Sequence, residues 1–173
     1  MKYKWIRYMA YILEIIIFYV LEQTPHFLPE IFGSKPLIII PIFIMIALFE
    51  GEKVALYFGI FVGILLDISF SWHLGFYTIC LPIVGFIIGL ISRNIVKSNF
   101  FTAILISLAS IFVIYSLNFI IYYIFNGYNE ILYAYVYHYL PNIIYTFATS
   151  ILFYFFNKAF AVLIREEKSD YSN

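Results

Sequence analysis

The fold of this chain is decided by residues 55–89, which read ALYFGIFVGILLDISFSWHLGFYTICLPIVGFIIG. Two apolar runs lie on either side of a short polar turn. In the second run Gly75 is followed by Gly85 and Gly89. In the first run small residues recur every four positions and the series ends in a carboxylate, which on an α-helix places them on one face. These residues are Ala55, Gly59, Gly63 and Asp67.

The composition places this stretch in a membrane. The chain has 173 residues, of which 64% are hydrophobic and 12% are charged, and its mean hydropathy is +0.95. A soluble domain carries about 25% charged residues, whereas several runs here approach the ~20 apolar residues of a membrane-crossing helix. The sequence therefore predicts an all-α integral membrane protein in contact with lipid.

Six crossings are predicted, followed by a charged cytoplasmic tail at 165–173. The second run is short, so it crosses only if Pro36 and Glu50 lie at the boundaries or the bilayer thins locally. Pro141 is predicted to divide the last apolar stretch, leaving the Tyr-rich segment 131–140 at the outer interface. The predicted spans are 5–21, 36–50, 54–70, 74–91, 100–125 and 141–164.

The orientation follows from the basic residues. No small-x-small cleavage pattern follows the first run, so we interpret it as a retained helix with its N-terminus inside. Only Lys35 of the ten basic residues then lies outside, and the positive-inside rule predicts that both termini are cytoplasmic. The nine inner residues are Lys2, Lys4, Arg7, Lys53, Arg93, Lys97, Lys158, Arg165 and Lys168.

The glycine pairs and Asp67 are the candidate contact residues. Glycines four apart allow two membrane helices to approach closely. We favour packing within the bundle, with a face for a partner helix or a second copy as the alternative. A carboxylate in an apolar layer needs water, a proton or a hydrogen bond. Asp67 either anchors its helix to a neighbour or partner, or bonds Ser69 or Ser71 at the interface.

Glu14 is the second deep acidic residue, about nine residues into the first run. No lysine or arginine is expected at its depth. It is therefore protonated, or it pairs with Asn118, Asn142 or a hydroxyl group. An interior hydrogen bond or a contact with a partner helix is favoured over a proton or ligand site.

Motifs for catalysis, cofactors or metals are not found. There is no phosphate-binding loop, no HExxH and no GxSxG, and Glu14 and Asp67 lie on different predicted helices. We interpret His73 and His138 as interfacial residues and the single cysteine, Cys80, as a buried thiol. The basic residues are scattered, which does not suit nucleic-acid binding. The sequence thus predicts a protein that is not an enzyme.

Four segments resemble the rod shape-determining protein MreD family. They are Glu50-Gly51, then Gly59-x3-Gly63-Ile-Leu-Leu-Asp67, then Leu74-Gly75-Phe-Tyr, then Gly85-x3-Gly89. Gln23 after the first run and the Pro36-x4-Pro41 spacing are also similar to that family. Length, six spans and a short charged tail fit across almost the whole chain.

The resemblance implies a non-enzymatic component of the bacterial cell-elongation machinery in the cytoplasmic membrane. It implies binding to an MreC-like protein and, through it, links to MreB, RodA and a class B penicillin-binding protein in peptidoglycan synthesis. It also implies a bundle like the substrate-binding S-components of vitamin transporters. This likeness concerns the fold and does not carry transport with it. The alternative function is the substrate-binding membrane subunit of a small-molecule uptake transporter. The first run lacks the Ala-x3-Ala pair usual in such subunits, which disfavours this alternative.

Overall fold

The helices follow the apolar runs of the sequence closely. A computed structural model describes residues 2–25, 35–69, 75–95, 100–125, 127 and 131–166. Every regular element in this part of the chain is helical. The elements are α1 (Lys2–Gln23), α2 (Ile39–Glu50), α3 (Glu52–Ser69), α4 (Phe76–Ile95), α5 (Phe100–Phe119) with a π-helical extension (Ile120–Ile124), and α6 (Ile131–Ala134) joined through a π-helix (Tyr135–Tyr139) to α7 (Leu140–Glu166).

Two of the described helical stretches, Phe100–Ile124 and Ile131–Ala159, are long and apolar enough to cross a membrane by length and composition. Two shorter helical stretches, Ile39–Glu50 and Phe76–Ser92, are also apolar. The six-crossing arrangement remains a prediction beyond these two.

The short helix α2 is the centre of the bundle. It contacts α1, α3, α4, α5 and α7, and its residues from Ile39 to Leu48 are all buried. Twelve residues make a helix of about 18 Å, well short of a ~30 Å apolar layer. A helix that is hydrophobic on every side is stable only when it is surrounded, and here the surrounding is protein.

Contacts between helix ends show that the first four helices alternate in direction. At one end, Arg7 of α1 binds Glu50 of α2, and Ser92 of α4 donates a hydrogen bond to the carbonyl of Leu48. Lys53, in the first turn of α3, lies at this same end, which we call the basic end. At the opposite end, Gln23 of α1 donates to Ser69 Oγ of α3 at 2.6 Å.

The last two long helices continue this alternation. At the end opposite to the basic end, Tyr139 donates to Asn118 Oδ1 of α5 at 3.3 Å. At the basic end, Phe100 at the start of α5 stacks edge-on against Tyr154 of α7 at 4.9 Å between ring centroids. Each of the described helices α1, α2, α3, α4, α5 and α7 therefore runs antiparallel to its neighbour in this series.

Pro141 does not end a helix, contrary to the sequence prediction, because the chain is helical from Ile131 to Glu166. Proline normally clashes with the carbonyl four residues before it. The preceding turn is π-helical, and the Leu140 N–H donates to the carbonyl of Tyr135, five residues back. This wider turn shifts the carbonyls along the helix and accommodates the ring.

Candidate functional site

The small-residue face of α3 lies against α4. A Cβ atom added to Gly59 would lie 2.8 Å from the Cα of Pro82, and one added to Gly63 would lie 2.5 Å from the Cα of Thr78. Real Cβ atoms do not approach backbone so closely, so only glycine fits at either position. We call this contact, with Asp67 at its end, the α3–α4 seam.

The glycines of α4 complete the packing from the other side. A Cβ on Gly85 would overlap the ring of Phe43 from the central helix α2. A Cβ on Gly89 would overlap the backbone of Gly51 and Glu52, where α2 passes into α3. Gly85 and Gly89 therefore bring α4 against both α2 and the start of α3.

Asp67 closes the seam by capping α4 from outside that helix. Its Oδ1 accepts a hydrogen bond from the Tyr77 N–H at 3.0 Å, and its Oδ2 accepts from the Thr78 N–H at 2.9 Å and from Thr78 Oγ1 at 2.5 Å. The first N–H groups of a helix have no partner within it, and its dipole favours a negative charge there. Asp67 is 5% exposed, and the cap supplies the hydrogen bonds that a buried carboxylate requires.

The partner of Asp67 is thus a neighbouring helix, and not the nearby serine at position 69. Ser69 Oγ instead is hydrogen-bonded to the Tyr19 hydroxyl of α1 at 2.9 Å and to the Leu65 carbonyl at 3.1 Å. Position 71 and the interpretation of His73 lie outside the described residues. Gly75 precedes α4 with a φ of 90°, a backbone conformation that glycine adopts without strain.

A second carboxylate cap, which the sequence analysis missed, lies at the same end of the bundle. Glu22 Oε2 of α1 accepts the backbone N–H of Ile39, the first residue of α2, at 3.2 Å. Glu22 thus serves α2 as Asp67 serves α4. In both cases an acidic residue near the end of one helix caps the start of the next helix in the chain. This position is the signal that could have revealed both caps.

Glu14 lies inside the bundle against α7. Its Oε1 accepts a hydrogen bond from Asn157 Nδ2 at 3.0 Å. The predicted alternatives Asn118 and Asn142 are not its partners: Asn118 bonds Tyr77 and Tyr139, and the buried Asn142 Oδ1 has no hydrogen-bond partner in the described chain.

A buried ion pair at the basic end was also missed. Arg7 donates to Glu50 Oε2 at 2.6 Å, and the Tyr11 hydroxyl donates to Glu50 Oε1 at 3.1 Å. Because the first two helices run antiparallel, the start of α1 and the end of α2 share one level. The predicted inner N-terminus puts Arg7 and Glu50 at the same level, which is the signal that could have revealed the pair.

An apolar cleft of about 450 Å³ separates α4 from α5. Cys80 lines it and is 8% exposed. The cleft is lined by Gly75, Phe76, Ile79, Cys80, Ile83, Val84, Leu117, Ile121 and Tyr122.

Within the described residues, no group of three or more His, Cys, Asp or Glu side chains is arranged to hold a metal ion. His138 lies on the π-helical turn before α7 and is exposed.

Comparison with known proteins gives one match. The family model described as rod shape-determining protein MreD matches residues 3–164. No curated protein and no solved structure matches the chain. The matched range includes the α3–α4 seam, both carboxylate caps and the Glu14–Asn157 contact.

Proposed function

Because the chain belongs to the MreD family of rod shape-determining proteins, we propose that it binds an MreC-like protein within the bacterial cell-elongation complex. Members of this family are structural components of the inner membrane. The proposed role is non-enzymatic: the chain supports peptidoglycan synthesis by holding a partner that connects MreB with RodA and a class B penicillin-binding protein. The observation that carries the proposal is the family match over almost the whole chain.

The α3–α4 seam supports a scaffolding role for the candidate residues. Gly59 and Gly63 are covered by α4, so this face is not open to a partner helix. We propose that these glycines and Asp67 act indirectly, by fixing the shape of the α3–α4 pair. Gly75, Gly85 and Gly89 belong to the same framework, and the partner's helix then binds on a lipid-facing surface.

We propose further that the bundle crosses the membrane six times with both termini inside. The antiparallel order of the long helices supports this, and Arg7, Lys53 and Lys158 lie at the basic end whereas Lys35 lies at the other. A cysteine placed at position 35 or 53 in a Cys80→Ser background tests it. We expect an impermeant maleimide to label Lys35→Cys in intact spheroplasts and to label Lys53→Cys only after lysis. The reverse labelling pattern would refute the orientation.

Partner binding is tested by co-expression of the chain with an MreC-like protein and by co-purification from membranes. Ile79 of α4 and Leu152 of α7 are matched surface positions, 67% and 68% exposed. We expect the wild-type chain to retain the partner. We expect the tryptophan variant whose position lies on the partner-binding surface, Ile79→Trp or Leu152→Trp, to retain less of the partner. The unfolding midpoint should be unchanged in both variants. A wild-type chain that captures no MreC-like protein would contradict the proposal, as would normal rod shape after depletion.

A further inference from the structure

Glu14 and Asn157 form a polar contact in the interior of the bundle, 143 residues apart in sequence. Glu14 is 5% exposed and Asn157 is fully buried. The Asn157 amide donates to Glu14 Oε1 at 3.0 Å and to the carbonyl of Phe153, one turn earlier, at 3.2 Å. Both hydrogens of the Asn157 amide nitrogen are therefore in use.

Two oxygens of this pair have no donor. Glu14 Oε2 and Asn157 Oδ1 are buried and make no hydrogen bond within the described chain. An amide oxygen and an ionised carboxylate can only accept. Leaving a buried acceptor without a donor costs about 1–3 kcal/mol, and more for a charged one. With Glu14 ionised, the contact would hold two unmet acceptors and one buried charge.

The charged groups of α1 and α2 do not compensate such a charge. Arg7 lies two turns before Glu14 on α1 and is paired with Glu50 of α2 at 2.6 Å. The Tyr11 hydroxyl, one turn before Glu14, donates to the same Glu50. The cation and the phenol nearest along α1 are therefore committed to another carboxylate.

Among the described side chains of the other two helices packed against α1, none forms an ion pair with Glu14. On α7, Lys158 follows Asn157 but places its ammonium group 5.5 Å from the ring centre of Tyr154. On α3, Glu52 and Lys53 lie in the first turn, and Asp67 at the far end caps α4.

We propose that Glu14 is a proton-binding site: a protonated carboxylic acid whose O–H donates to Asn157 Oδ1. One proton removes the charge from Glu14 and supplies the donor that the two acceptors lack. The carboxylic acid and the amide then form a reciprocal, neutral pair, with one hydrogen bond in each direction. The bound proton thereby stabilises the folded bundle.

The proton also controls how α1 is held. The described contacts between α1 and α7 include this pair and the edge-on contact of Phe18 with Phe153, at 4.9 Å between ring centroids. The opposite face of α1 is exposed, including Met9 and Leu13 at 62% and 61%. Loss of the proton would place a buried charge in this interface and weaken the contact between α1 and α7.

Infrared difference spectroscopy of the purified chain in lipid nanodiscs tests the proposal. At about pH 7, well above the ordinary glutamate pKa of about 4.3, we expect the wild type to show a carboxylic acid C=O band that Glu14→Gln lacks. Glu14→Gln keeps both hydrogen bonds as an amide pair, so its unfolding midpoint should match that of the wild type. Asn157→Leu should shift the band to higher frequency, because the C=O of the acid loses the Asn157 N–H that donates to it.

Three results would overturn the proposal. The first is a wild-type minus Glu14→Gln spectrum that contains carboxylate bands in place of the acid band. The second is a lower unfolding midpoint for Glu14→Gln, which would show that the charge is used. The third is wild-type stability that rises with the concentration of sodium or potassium while that of Glu14→Gln does not, since Glu14 would then bind a cation.

Discussion

Replacing Asp67 with alanine should destabilise the bundle more than any other single change at the α3–α4 seam that removes only polar atoms. The carboxylate accepts from the N–H groups of Tyr77 and Thr78 and from the Thr78 hydroxyl. The variant leaves both N–H groups without an acceptor in a place that is largely shielded from water. At about 1–3 kcal/mol for each group, the expected loss in the free energy of unfolding is about 2–6 kcal/mol.

Two further variants separate the components of this loss. Asp67→Asn keeps an oxygen for one N–H but sets its own NH₂ against the other, and it removes the charge at the helix N-terminus, so we expect an intermediate loss. Thr78→Val is nearly isosteric and removes only the hydroxyl donor, at about 0.5–1.5 kcal/mol. The expected order of destabilisation is Asp67→Ala, then Asp67→Asn, then Thr78→Val.

The assay is reversible unfolding in mixed micelles with increasing sodium dodecyl sulfate, followed by circular dichroism. Ile64→Val is the control, since Ile64 lies on the exposed side of α3 at 45%, and its unfolding midpoint should stay close to that of the wild type. An Asp67→Ala variant that is no less stable than Thr78→Val would refute the role of Asp67 as a cap. An Asp67→Asn variant as stable as the wild type would refute the need for a charge in the cap.

Three other changes test the packing in the same assay. Gly63→Leu should prevent close contact of the third and fourth helices and leave little folded chain, because even its Cβ would lie 2.5 Å from Thr78 Cα; folded yields at the wild-type level would refute this. Arg7→Met should cost about 3–5 kcal/mol by leaving the Glu50 charge buried, and adding Glu50→Gln should recover most of that loss; an unrescued double variant would contradict the pairing. Gly51→Ala should cost about 1–3 kcal/mol through backbone strain, because φ is 87° there although space is open; an unchanged midpoint would show that the backbone turn relaxes.

The sequence was sufficient to find the helices and the residues that bring two of them together. Hydropathy predicts the positions of the helices, and the four-residue spacing of Gly59 and Gly63 predicts close packing, which the structure directs towards α4. The charge pattern predicts two distinct ends, and Lys35 and Lys53 lie at opposite ends of the described bundle.

The partners of the polar side chains could not be read from residue types alone. Asp67 binds backbone N–H groups, which every residue except proline carries, so no particular side chain marks them. Several asparagines could lie at the depth of Glu14. Which of them contacts it depends on how α7 is rotated about its axis, and that rotation brings Asn157 to Glu14. The prediction that Pro141 divides the last apolar stretch was wrong for a related reason. Hydropathy does not reveal a π-helical turn, and such a turn precedes Pro141.

The burial of α2 has a consequence for how the protein is made. The helices α4, α5 and α7, which cover much of its surface, are synthesised after it. Until these helices are made, the apolar surface of α2 is only partly covered by protein. The centre of the bundle is therefore translated before most of the helices that enclose it.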